Sequence, residues 1–272
     1  MSWIDNNQQI FFENLIRNVK SDLCGKIEQE KTRFPSFERL LARFDEIAER
    51  FAGTGLENLS QFIEIHNELC VAVVILEDKS EFPCERLDYE PPIEACSKLI
   101  DFRAEYSSSP PKWLEVKTIH PTRQDDWNRY KAHIQSNRFP CNAQLIFDEE
   151  WMGGELYHFA YAARTKILEY TIETEEKIER CLGSDKKAIA FLVLFSNGFH
   201  WSISELEDFV YFYRSGSHFE GDHFRKMEDY YLSERSITLK RNIDHFTFIK
   251  RPEASIRPVG GNWSVPPTRW PI

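Results

Sequence analysis

KLIDFRAEY at residues 98–106 and KWLEVKTI at residues 112–119 decide the fold, because both alternate apolar and polar side chains. A period of two belongs to a strand half-buried against a core. In the first segment Ile100, Phe102, Ala104 and Tyr106 share one face, and Asp101, Arg103 and Glu105 share the other. In the second, Leu114 and Val116 oppose Glu115 and Lys117. The run Ser107–Pro111 between them reads as a turn short enough to pair the strands antiparallel. With both apolar sets facing the core, Asp101 comes near Glu115 and Lys117 on one polar patch.

The neighbouring sequence extends this pattern. Residues 84–93 (CERLDYEPPI) read as a further extended segment, stopped by Pro91-Pro92. Residues 5–52 read as helices, with Phe37, Leu40, Leu41, Phe44, Ile47, Ala48 and Phe51 at helical spacing up to Gly53-Thr54-Gly55. A second helix, capped by Asn58, buries Leu59, Phe62, Ile63, Ile65, Leu69, Ala72, Val73 and Leu76. A short helix is expected over 125–134, then a loop through Pro140 and Gly153-Gly154. A long amphipathic helix follows over about 155–182, with Leu156, Phe159, Ala163, Ile167 and Tyr170 along its apolar line. The run AIAFLVLF (188–195) suits a strand buried on both faces, and 203–213 is helical again. Beyond Ser215 the pattern is mixed, and RPVGGNWSVPPTRWPI (257–272) reads as loop. The fold class is α/β, with an antiparallel meander joined by a later strand in a mixed sheet flanked by helices. The expected organisation is a helical segment over 1–55, a core over 56–215 and a partly basic, aromatic extension over 216–272.

Composition narrows the class. Hydrophobic residues at 42% and charged residues at 29% fit a globular chain, and 14% aromatics argue against disorder. The apolar runs Leu69–Leu76 and Ala188–Phe195 fall short of the roughly 20 residues of a spanning helix, so no membrane partner is expected. MSWIDNNQQ (1–9) lacks a basic stretch followed by an apolar one, and the protein is read as cytoplasmic. Six cysteines (24, 70, 84, 96, 141, 181) show no C-x-x-C spacing. Reduced, mostly buried thiols are therefore expected rather than a zinc cluster or redox pair.

Two carboxylates beside a backbone carbonyl form a hard-oxygen site suited to Mg²⁺ or Mn²⁺. A lysine next to them can orient or help deprotonate an attacking water and hold a phosphate oxygen. These are the parts needed to hydrolyse a phosphodiester. The succession Y-E-P at Tyr89–Pro91, I-D-F at Ile100–Phe102 and E-V-K at Glu115–Lys117 resembles the PD-(D/E)XK, restriction-endonuclease-like superfamily. The order of elements over 56–215 is similar to that family's αβββαβ core. Where Ile100 stands, the family often has proline, which the chemistry does not require. The resemblance implies Asp101 and Glu115 as metal ligands with the Val116 carbonyl, and Lys117 as the catalytic lysine. It also implies a helix glutamate, Glu68, with Glu64 one turn earlier as the alternative; both are read on the polar side of their helix. Arg164 and Lys166 on the long helix, and Thr118 after the lysine, are candidate substrate contacts, and His120 ends the same strand.

The implied activity is metal-dependent hydrolysis of nucleic acid, DNA ahead of RNA, in restriction, phage defence or repair, by a homodimer or larger complex. The net charge of −10 confines any positive surface to a local patch. Lys240, Arg241, Lys250, Arg251, Arg257 and Arg269 offer one, with Phe246, Phe248, Trp263 and Trp270 nearby to stack on bases or pack in a core. Glu64, His66 and Glu68 lack H-E-x-x-H spacing, and no P-loop or G-x-S-x-G is present. Two other readings fit the residues: an inactive nuclease fold serving as a nucleic-acid-binding or protein-interaction subunit, and an acidic interaction module.

Overall fold

A computed structural model describes residues 6–77, 84–93, 96, 99–107, 109–120, 149–183, 189–196, 203–222 and 224–250. The expected helix over 125–134, Cys141 and everything from Arg251 onward lie outside the described residues.

Helical periodicity upstream produces α1 (Asn6–Val19), α2 (Gly25–Glu30), α3 (Phe37–Thr54) and α4 (Leu59–Glu77), with a π turn over Lys20–Cys24 and a 3-10 turn over Gly55–Asn58. Phe37, Leu40, Phe44, Ile47 and Phe51 of α3 are buried against Leu59, Phe62, Ile63 and Leu69 of α4. Phe51 stacks on Phe62 at 4.4 Å between centroids, so this helix pair is joined at its closed end. By length and composition α4 could cross a membrane, but most of its residues are buried inside the protein.

Three antiparallel strands follow, β1 (Cys84–Tyr89), β2 (Phe102–Tyr106) and β3 (Ser109–Ile119). The β2–β3 register sets Phe102 opposite Leu114 and Tyr106 opposite Ser109. The turn is therefore tighter than SSSPP suggested, and Pro110 and Pro111 lie within β3. Proline is tolerated there because β4 pairs with β3 only from Lys112 onward, leaving the strand start without a paired strand on that side among the described residues.

Helix α5 (Glu149–Leu182) crosses over to β4 (Ile189–Ser196), which runs parallel to β3. It starts earlier than expected, taking the Gly153-Gly154 pair into the helix at a cost of about 1 kcal/mol per glycine. After α6 (Ile203–Ser215) and α7 (Arg225–Glu234), β5 (His245–Lys250) pairs parallel with β4. The mixed pattern read after Ser215 thus conceals a sheet strand. The result is a five-stranded mixed sheet ordered β1-β2-β3-β4-β5.

Alternation along β3 divides the core in two. Leu114 and Val116 join Phe102, Ala104 and Tyr89 in the cluster built on α3 and α4. Ile119 joins Leu192, Phe246 and the α5 and α6 residues Ile167, Ile178, Phe209 and Tyr213. Helices therefore cover both sheet faces, and the face bearing Glu115 and Lys117 meets α5 rather than bulk water.

Cysteine usage departs from expectation. Cys24, Cys70 and Cys84 are free and buried, but Cys96 and Cys181 form a disulfide across 85 residues of sequence. No spacing motif marks a pair so distant, so only proximity in the fold reveals it.

A candidate acidic active site between the sheet and two helices

The β2–β3 register puts Asp101, one residue before Phe102, opposite Glu115, one residue after Leu114. The Val116 N–H donates to Asp101 Oδ2 at 2.7 Å, and the Glu90 N–H donates to the Asp101 carbonyl at 2.8 Å. Glu90 holds φ at 43°, a left-handed conformation that costs a non-glycine residue about 1 kcal/mol or more. Asp101 is thereby fixed from both neighbouring strands.

The electrostatics of this carboxylate are unusual. Withdrawal from water raises its proton affinity well above the usual carboxylate range, and Glu115 and Glu68 nearby raise it further. Lys177 and the Val116 N–H act in the opposite direction. Glu115 and Glu68 thus add negative charge around Asp101, and Lys177, Lys117 and Arg43 offset it.

Glu115 is only 3% exposed. Lys177 of α5 donates to both its oxygens at 2.6 Å, and Lys117 lies 3.2 Å from Oε1. The Lys117 ammonium also sits 3.7 Å from Glu173 and 5.6 Å from the Tyr170 ring centroid. Burial lowers its proton affinity, but Glu115 and Asp101 outweigh that and hold it above the ordinary lysine range. Lys117 is therefore a fixed positive charge at neutral pH.

The structure separates the two helix glutamates that sequence left equivalent. Glu68 is buried, accepts from the Tyr89 hydroxyl at 2.8 Å and pairs with Arg43 at 3.3 Å. Arg43 also contacts the Tyr89 hydroxyl and reaches Glu90 at 3.1 Å. Burial raises the Glu68 carboxyl to about 7 against the pull of Arg43 and Tyr89. Glu64 is half exposed and holds His120 at 2.9 Å. Glu68 thus does not lie on a polar, solvated side of α4.

Other expectations are corrected. Arg164 is 1% exposed and cannot meet a substrate: its guanidinium lies 2.8 Å from Glu228 and 3.1 Å from Asp222. A helix arginine looks the same in sequence whether it faces water or acceptors 58 and 64 residues away. Thr118 is buried, its hydroxyl accepting from Asn67 at 2.8 Å, so it fastens β3 to α4. Lys166 is partly exposed and pairs with Glu169 at 2.5 Å. Lys240 is tied to Glu179, and Arg241 donates to the Tyr213 carbonyl at 2.7 Å, which anchors this part of the expected basic patch. His66 is buried and pushed down to about 4, so it stays neutral beside Cys70.

Arg43 and Lys177 were not singled out from sequence, and Tyr89 entered only as the first residue of the Y-E-P match. A signal for Lys177 was present, since Tyr170, Glu173 and Lys177 recur at i, i+3 and i+7 on α5 and all touch β3 or its lysine.

A second buried cluster joins His218, Asp222 and Glu228, whose ligand atoms lie within 4.8 Å of one another. Arg164 already supplies its positive charge, so this cluster is an ion-pair network rather than a place for a divalent cation. Burial raises the Glu228 carboxyl to about 7, against the pull of Arg164. A carboxyl raised in the folded state favours folding when protonated, and that advantage fades as pH climbs from the unfolded value toward 7. Stability of the parent relative to Glu228→Gln is expected to fall by about 3 kcal/mol at most between pH 4.5 and 7. Urea denaturation of both proteins across this range checks it, and a pH-independent difference would refute it.

Compared with known proteins, the chain matches no family model, no curated protein and no solved structure.

Proposed function

We propose that the protein is a Mg²⁺- or Mn²⁺-dependent nuclease with a restriction-endonuclease-like core, hydrolysing phosphodiester bonds of DNA. The observation that carries this reading is Asp101 standing opposite Glu115, with Lys117 3.2 Å from Glu115 and Glu68 close enough to raise Asp101's proton affinity. The order α4-β1-β2-β3-α5-β4, with β4 parallel to β3, supports it.

Asp101, Glu115, Glu68 and the Val116 carbonyl would hold the ion; crowded carboxylates and hard oxygen donors suit it. When bound, such an ion lowers the pKa of a water and offsets charge building on the phosphate. Lys117, held protonated, keeps a phosphate oxygen or the attacking water in place by charge and hydrogen bonding, and does not remove a proton. Arg43 and Tyr89 both fix the Glu68 carboxylate through its Oε2.

Calorimetric titration with Mn²⁺ tests this reading. The parent should give a saturable isotherm that Asp101→Ala loses, and equal heats from the two proteins would refute the metal site. One observation favours an inactive nuclease-fold subunit instead: both oxygens of Glu115 are already engaged by Lys177. Cleavage assays on single-stranded DNA, double-stranded DNA and RNA separate these readings, and no cleavage of any of them supports the subunit.

A further inference from the structure

Lys177 is the one ammonium that reaches both oxygens of Glu115, at 2.6 Å each, among the described residues. It comes from α5, packed over the sheet face opposite α4, and its side chain is mostly buried at 14% exposed. Lys117 approaches only Oε1, and from a longer distance of 3.2 Å. The two lysines therefore have different relations to Glu115. Lys117 lies beside the carboxylate, while Lys177 covers its metal-binding edge.

A divalent cation bound through Glu115 needs at least one of those oxygens. It also brings two positive charges to within a few ångströms of an ammonium in a partly dry site, where Coulomb repulsion is weakly screened. We propose that Lys177 competes with a divalent cation for Glu115 and so sets the affinity of the site for metal. This rests on the metal-dependent reading above and adds a regulating residue to it. Lys177 would have to release Glu115 for a metal to be held there, which would free its ammonium for an anionic partner. Affinity for metal would thus be coupled to the presence of an anionic substrate that gives Lys177 another partner.

The test is calorimetric titration of Mn²⁺ into the parent, Lys177→Met, Lys177→Arg, and each of the first two combined with Asp101→Ala. Lys177→Met keeps the aliphatic stem and leaves Glu115 paired with Lys117, so the fold is retained; circular dichroism checks this. The expected result is Mn²⁺ binding about tenfold tighter in Lys177→Met and within roughly threefold of the parent in Lys177→Arg, which retains the charge. The rise in melting temperature on adding Mn²⁺ should likewise be larger for Lys177→Met than for the parent. Equal or weaker binding in Lys177→Met, still abolished by Asp101→Ala, overturns the competition while leaving the metal site standing. Absence of Mn²⁺ binding from both the parent and Lys177→Met removes the metal reading, and the competition falls with it.

Discussion

Replacing Lys117 with alanine is expected to lower metal-dependent DNA cleavage by a factor of about 10² to 10⁴ without unfolding the protein. The size of the effect follows from what the side chain supplies. Glu115 and Asp101 keep its ammonium charged against the cost of burial, so under the proposed function it would present a fixed positive charge to a phosphate gaining negative charge. The fold survives because Glu115 does not lose its last partner: Lys177 still donates to both its oxygens. A buried carboxylate stripped of every cation would destabilise the chain by several kcal/mol. Lys117→Arg preserves the charge and should recover part of the rate. Cleavage by Lys117→Ala at the parental rate, with circular dichroism confirming a folded protein, would remove Lys117 from the chemistry.

Removing the Cys96–Cys181 bond should cost about 3 to 5 kcal/mol, from the loop entropy that a closure of 85 residues takes out of the unfolded chain. The bond ties the segment leading into Asp101 to the end of α5, one turn beyond Lys177. Its loss therefore loosens the two ends of the acidic site as well as the chain. The double variant Cys96→Ser, Cys181→Ser should show a lower urea midpoint than the parent, with matching loss under reductant in the parent alone. An unchanged midpoint together with two extra reactive thiols in the native parent would show that the pair is not bonded.

Much of the fold was legible because its signals are local. The apolar positions of α3 and α4 recur every three or four residues, and Phe37, Phe44, Phe51 and Phe62 are buried as that spacing requires. Strand alternation placed Leu114 and Val116 on one face and Glu115 and Lys117 on the other, and the two core clusters divide along that line. β5 is only six residues long, and its one alternation, Phe246-Thr247-Phe248, sits between charged residues that read equally well as a solvated extension. The prolines misled the turn reading, since their tolerance depends on where β4 begins to pair.

For the acidic site, the sequence by itself determined that Glu115 and Lys117 share a strand face, because side-chain direction in a strand depends on position alone; Asp101 stands one residue before β2, and its direction is fixed by the Val116 N–H instead. The sequence could not say what that face meets. Lys177 reaches Glu115 across 62 residues, Arg43 reaches Glu68 across 25, and Arg164 turns inward to acceptors that follow it by 58 and 64. Such pairings carry no spacing rule: the i, i+3, i+7 line of Tyr170, Glu173 and Lys177 marks a shared helix face but not the strand that face meets. They arise when helices close over the sheet and each charge withdrawn from water takes a nearby opposite charge as its partner, and so only the tertiary structure decided them.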